Sequence, residues 1–252
     1  MAEVVDFIDK VKRYYKFTPS ELKGFIISIL VIAFVISFGE WGIKEFDFAV
    51  GLKNFLVAIL IVGISLLVHT TGQRLWSLAV GYRLEYKMWS LGLVFAVILA
   101  FITNGKFWLL VPGGFIIHHL AGHRLGWFRY GINYWALGLI ALAGPLITVT
   151  FIILLKVLSV FTFSAILQKF IIFNIIYTVY CMLPIPPLDG SKIFYGSRML
   201  YAFSLPGMIV AIILLYANVP VWLAILGSFL IGVILWLLYY IFLEKNLWWP
   251  NR

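Results

Sequence analysis

The chain has 252 residues, 63% of them hydrophobic and only 12% charged, with a mean hydropathy of +1.05. Soluble domains carry about 25% charged residues, so the composition excludes a soluble globular domain and requires a polytopic integral membrane protein. The formal charge of +9 comes from basic residues spread thinly between apolar runs. No basic stripe forms, which argues against a nucleic-acid partner and for the lipid bilayer, through anionic headgroups and the positive-inside rule. A single cysteine, Cys181, leaves no internal disulfide framework.

Residues 1–21 form the first unit. Acidic and basic positions alternate there, too many for a cleaved signal, while Val4, Val5, Phe7, Ile8, Val11 and Tyr15 share one apolar side. An amphipathic helix lying at the membrane interface is expected. Thr18-Pro19-Ser20-Glu21 then reads as a helix cap with proline at the first position. Residues 22–252 read as one membrane domain.

A spanning helix takes about 20 mostly apolar residues. The first runs from Leu22 to Trp41, and the second from about Asn54 through Val68 into His69-Thr70-Thr71-Gly72-Gln73. A third covers roughly 90–103. Residues 104–132, with Pro112, Gly113, Gly114, Gly122, Gly126 and three histidines, are expected to be re-entrant or interfacial rather than a span. Further runs lie at about 134–157, 165–183, 199–217 and 220–243. The expectation is an all-α protein with six transmembrane helices, seven being possible. Five Lys/Arg in the N-terminal segment (Lys10, Lys12, Arg13, Lys16 and Lys23) and three after the second span predict a cytoplasmic N-terminus in the cell membrane.

Ionisable groups at membrane depth are costly and therefore functional candidates. Between Glu85 and Glu244 the chain has one carboxylate, Asp189. It sits in Leu183-Pro184-Ile185-Pro186-Pro187-Leu188-Asp189-Gly190, which breaks a helix beginning near Leu167. Broken backbone at depth lines cavities or packs in protein, although an interfacial turn capping the next helix also suits Asp189.

LPIPPLDG resembles the segment with which site-2 proteases, intramembrane zinc metalloproteases, present an aspartate zinc ligand. Ala141-Leu142-Ala143-Gly144-Pro145-Leu146 resembles their AGPL helix, with Gly144 and Pro145 beside the groove. The patch at 69–73, with Gly81 to Trp89 after it, resembles their HExxH helix and the segment following, in archaeal-looking members. The matched region runs from about 55 to 195, and Pro184, Pro186, Pro187 and Gly190 are its helix-breaking residues. In that chemistry two histidines four apart and an aspartate hold zinc, water takes the open position, and a glutamate after the first histidine is general base.

On this resemblance His69 and Asp189 are the retained metal ligands. Thr70 stands at the general-base position and Gln73 at the second-histidine position. Thr148 and Cys181 stand where the family often carries asparagines. A threonine hydroxyl has no useful basicity near neutral pH, and a glutamine carbonyl is a poor zinc ligand beside imidazole. Zinc, the family's cofactor, is therefore expected to bind weakly or not at all, and no catalytic residue is intact.

His119-Leu120-Ala121-Gly122-His123 also spaces two histidines four apart, with His118 alongside. These are possible substitute ligands, against the plainer reading of a histidine-rich interfacial loop. Cys181 reads as a small packing residue whose thiol could touch a metal. Glu40 and Glu85 read as interfacial charges. The leading function is a proteolytically inactive homologue, a pseudoprotease acting as scaffold for single-span membrane proteins or peptides. The alternative is an active zinc endopeptidase with substitute ligands, cleaving transmembrane substrates. The third is a small-solute or ion carrier.

Overall fold

The computed structural model describes residues 2–42, 46–120, 131–162, 164–217 and 219–245. Helix α1 (Ala2–Tyr14) precedes α2 (Pro19–Ser37). The start of α2 is a capping box: Thr18 Oγ1 accepts from the Glu21 N–H, the Glu21 carboxylate accepts from the Thr18 N–H at 2.7 Å, and Pro19 opens the first turn. A 3₁₀ turn carries α2 on to Glu40. Asp47, accepting from the Ala49 and Val50 N–H groups, starts α3 (Phe48–Ala79), well before the Asn54 expected from hydropathy.

Five helices are long and apolar enough to cross a membrane: α2 with its 3₁₀ turn, α3, α5 (Tyr134–Phe161), α8 (Arg198–Tyr216) and α9 (Val221–Tyr239), the last continuing through a π-helical turn to Glu244. Two shorter apolar helices, α4 (Ser90–Ile102) and α6 (Ala165–Cys181), complete the set among the described residues. The chain is thus a predominantly helical polytopic membrane protein. Its helices are apolar on both sides. Along α3, Leu56, Leu60, Ile64 and Leu67 are exposed while Ala58, Ile61, Val62, Ser65, Leu66 and His69 are buried, the pattern of a helix packed on one side and facing lipid on the other.

The bundle has two ends. At the near end lie α1 and the start of α2, with Tyr15 Oη within 2.8 Å of Thr71 Oγ1 on the last third of α3. At the far end Lys169, near the start of α6, meets Glu40 at 2.5 Å, and the Asn54 amide donates to the Glu40 carbonyl at 2.9 Å. Helices α3 and α5 form the central pair. They approach closely because both are thin there: a Cβ on Gly72 would lie 2.5 Å from Ile147 Cγ2, the small-residue contact by which membrane helices pack.

The apolar run expected over 90–103 is a helix of 13 residues, and the departure from the all-α expectation within residues 80–120 is a pair of strands. Strand β1 (Tyr82–Met88) runs from the near end along the first turns of α2. Helix α4 carries the chain to the far end, where Asn104 and Gly105 turn with positive φ (52° and 72°) and Gly105 abuts the Gly39 backbone. The chain returns without helix, burying Leu110 and Val111, and β2 (Gly113–His119) pairs antiparallel with β1, Tyr82 opposite His119 and Met88 opposite Gly113. Strand pairing within the hairpin satisfies the backbone that a helix would satisfy internally. Tyr82, Leu84, Tyr86, Phe115 and Ile117 face the bundle. The period-2 signal of Tyr82-Arg83-Leu84-Glu85-Tyr86 is real but lies among longer apolar runs that dominate hydropathy. Gly122, Gly126 and His123 lie outside the described residues.

Candidate metal centre

Three helices and one helix break deliver the polar cluster. Helix α3 supplies His69, Thr70 and Gln73, all buried. Helix α5 supplies Gly144 and Thr148, and α6 supplies Tyr177 and, as its last residue, Cys181. The chain then turns through Leu183–Leu188, and Asp189 opens the short helix α7 (Asp189–Gly196). Gly190 permits the turn, since a Cβ there would lie 2.2 Å from the Met182 carbonyl oxygen.

His69 and Asp189, 120 residues apart, meet directly: Nε2 to Oδ2 is 2.8 Å, and both side chains are buried. On the other side of the ring, Nδ1 lies 3.0 Å from Thr148 Oγ1. The Thr148 hydroxyl donates to the Gly144 carbonyl at 2.9 Å, so its oxygen is left to accept. His69 Nδ1 is then the N–H donor and Nε2 the face turned to Asp189. Tyr177 packs edge-on against the imidazole, with ring centroids 5.1 Å apart.

Cys181 completes the group. One ligand atom from each of His69, Cys181 and Asp189 lies within 4.8 Å of the others. This is the only such group of three among the described residues. The chemistry fits zinc: one imidazole nitrogen, one sulfur and one carboxylate oxygen form an ordinary zinc donor set, and three tetrahedral ligands at about 2.0–2.3 Å from the ion lie roughly 3.3–3.7 Å apart.

The remaining sequence candidates fall differently. Gln73, next to the cluster, has its Nε2 buried without a hydrogen-bond partner, and Thr70 is buried. A Cβ on Gly144 would lie 2.5 Å from His69 Nε2 and 2.6 Å from Gln73 Nε2, so only glycine lets α5 pass this close. Pro145 sits within α5. Pro184, Pro186 and Pro187 form the break before Asp189, and the Pro187 carbonyl accepts from Lys192 Nζ at 2.5 Å. His118 and His119 lie on β2, outside this group. His118 Nε2 is 3.1 Å from Glu85 Oε2, and His119 packs on Tyr82. A hydrogen bond from Lys87, opposed by partial burial, and then His118 hold the Glu85 carboxyl below its ordinary range.

Sequence reasoning also missed a structural residue. Arg74, immediately after Gln73, forms a buried ion pair with Glu21 and donates to the Tyr15 carbonyl at 3.0 Å. Glu21 in turn accepts from the Tyr86 N–H at 2.8 Å, joining α1, α2, α3 and β1. The available signal was an arginine inside an otherwise apolar helix, which calls for a carboxylate partner.

Fold and centre together define a polytopic membrane protein with a buried His/Cys/Asp group able to hold a metal ion. The comparison with known proteins agrees: the chain is 26% identical over 193 residues to a Methanocaldococcus jannaschii protein named as a candidate zinc metalloprotease, covering 75% of this chain and 90% of that one. That similarity, over most of both chains, accords with the resemblance read from the motifs. No family model matches the chain, and no solved structure matches it.

Proposed function

We propose that this chain is a proteolytically silent member of its family, integral to the cell membrane with the near end toward the cytoplasm, and that its fold serves as a scaffold for single-span membrane proteins or peptides. One observation carries the reading. The residue following His69 is Thr70, buried in the bundle, and the cluster contains a single carboxylate, Asp189, which is already engaged by His69. Bound zinc would supply a Lewis acid at this position. Hydrolysis also needs a group that accepts a proton from water and returns it to the leaving amine. Thr70 cannot do that near neutral pH, and Asp189 faces the imidazole. Absence of a general base typically lowers rate by about 10² to 10⁴.

The test uses the full chain in lipid nanodiscs with added zinc and a panel of fluorogenic single-span peptides. Product should form no faster than with His69→Ala. Cleavage that disappears on His69→Ala would instead establish an active endopeptidase with substitute ligands.

A further inference from the structure

We propose that His69, Cys181 and Asp189 form a replacement zinc site in which the Cys181 thiolate takes over from the missing second histidine. The inference deepens the preceding one, a family member that keeps its metal position without its base, and it reverses the expectation from sequence that only two ligands remain.

Four observations converge. First, nitrogen, sulfur and oxygen donors from α3, α6 and α7 lie within 4.8 Å of one another in the bundle interior. Second, His69 is oriented as a metal ligand. Its Nδ1–H is committed to Thr148, leaving Nε2 to face Asp189 and the cluster, and such partners fix the tautomer and ring angle of ligating histidines. Third, Gln73 is more than nine-tenths buried, its Nε2 has no hydrogen-bond partner, and it shares with His69 Nε2 the space that Gly144 leaves open. Its amide stands where it can hydrogen-bond to a fourth ligand, a role its weak donor oxygen cannot fill directly.

Fourth, the donor types suit the ion, since zinc takes imidazole nitrogen, thiolate sulfur and carboxylate oxygen alike. A donor set with one thiolate and one imidazole favours zinc over magnesium or calcium, which take all-oxygen sites.

The experiment is performed on the full chain in detergent, purified without added metal, dialysed against zinc sulfate and then buffer, and analysed for metal content. About one zinc per chain is expected. Loading with cobalt chloride instead should give a thiolate-to-cobalt charge-transfer band in the near ultraviolet, a readout that requires no variant and no activity. Cys181→Ser should abolish the band, and Thr148→Val, which removes only the partner of His69 Nδ1, should weaken zinc roughly 10- to 100-fold. Metal-free protein after dialysis, or bound cobalt without the sulfur band, would overturn the proposal. So would metal lost on His118→Ala with His119→Ala and retained in Cys181→Ser. Cleavage assays separate the two readings: zinc bound through Cys181 together with peptide hydrolysis would sink the pseudoprotease and keep the site.

Discussion

At the scale of single residues, the separation of His69 from Asp189 shows what a sequence can convey. Motif order and spacing brought those two positions together before any coordinates. The same motifs marked Thr148 and Cys181 only as departures, because a motif records which residue usually stands at a position and says nothing of what a different residue touches there. In three dimensions both departures face His69 or its cluster. This leads to a prediction about redundancy. Residues 69 and 73 share a helical face, so Gln73→His with Thr70→Glu should bind one zinc per chain through two histidines and Asp189, and should keep it when Cys181→Ser is added. Metal analysis of the triple variant decides this, and loss of its zinc would show that residue 73 does not reach the cluster. Gly144 gives a second prediction. A methyl group there would meet His69 Nε2 and Gln73 Nε2 at 2.5 and 2.6 Å, so Gly144→Ala should cost about 1–3 kcal/mol by overpacking. Its melting temperature in detergent should fall; an unchanged value would mean that α5 shifts freely away from α3.

At the scale of elements, the ribbon was the least legible part of the chain. Helices announce themselves through long apolar runs, whereas β1 is seven residues whose alternation is brief and β2 is flanked by histidines and glycines that suggest a loop. What holds β1 in place is polar: Glu21, tied to Arg74, accepts the Tyr86 N–H, and the Tyr86 hydroxyl, among Ser28 and the Pro112 carbonyl, lies 2.8 and 3.0 Å from them. Burial raises the Tyr86 phenol above its ordinary pKa, so it stays a neutral donor throughout the working pH range. Glu21→Ala should leave the Arg74 guanidinium buried without its carboxylate, which typically costs about 3–5 kcal/mol. Adding Arg74→Met should recover much of that loss, because the pair's own net contribution is small once both charges are gone. Thermal unfolding of the single and double variants measures the coupling. Equal destabilisation by the two variants would show that the carboxylate serves chiefly the Thr18 and Tyr86 amides rather than the arginine.

At the scale of the whole molecule, the two ends of the bundle differ in charge. Lys10, Lys12, Arg13, Lys16 and Lys23 precede or open α2 at the near end, Arg83 and Lys87 lie on β1, and Lys192 follows Asp189. Among the described residues the far end carries Lys53, Lys106, Lys156 and Lys169 beside Glu40 and Asp47. The positive-inside rule counts Lys and Arg, and among the described residues more of them lie at the near end. Helix α3 is roughly 48 Å long at 1.5 Å per residue, and His69 lies roughly 32 Å along it, against a hydrocarbon core of about 30 Å. His69 therefore lies toward the near end of α3 and not at its midpoint. Single-cysteine variants in a Cys181→Ser background test the placement of the two ends with a membrane-impermeant maleimide on intact cells and on inverted vesicles. Lys106→Cys, beside the Asn104–Gly105 turn, should label from outside, and Lys10→Cys only in inverted vesicles. Labelling of both from the same side would overturn the two-ended arrangement, and exchange of the two sides would keep the arrangement and reverse its orientation.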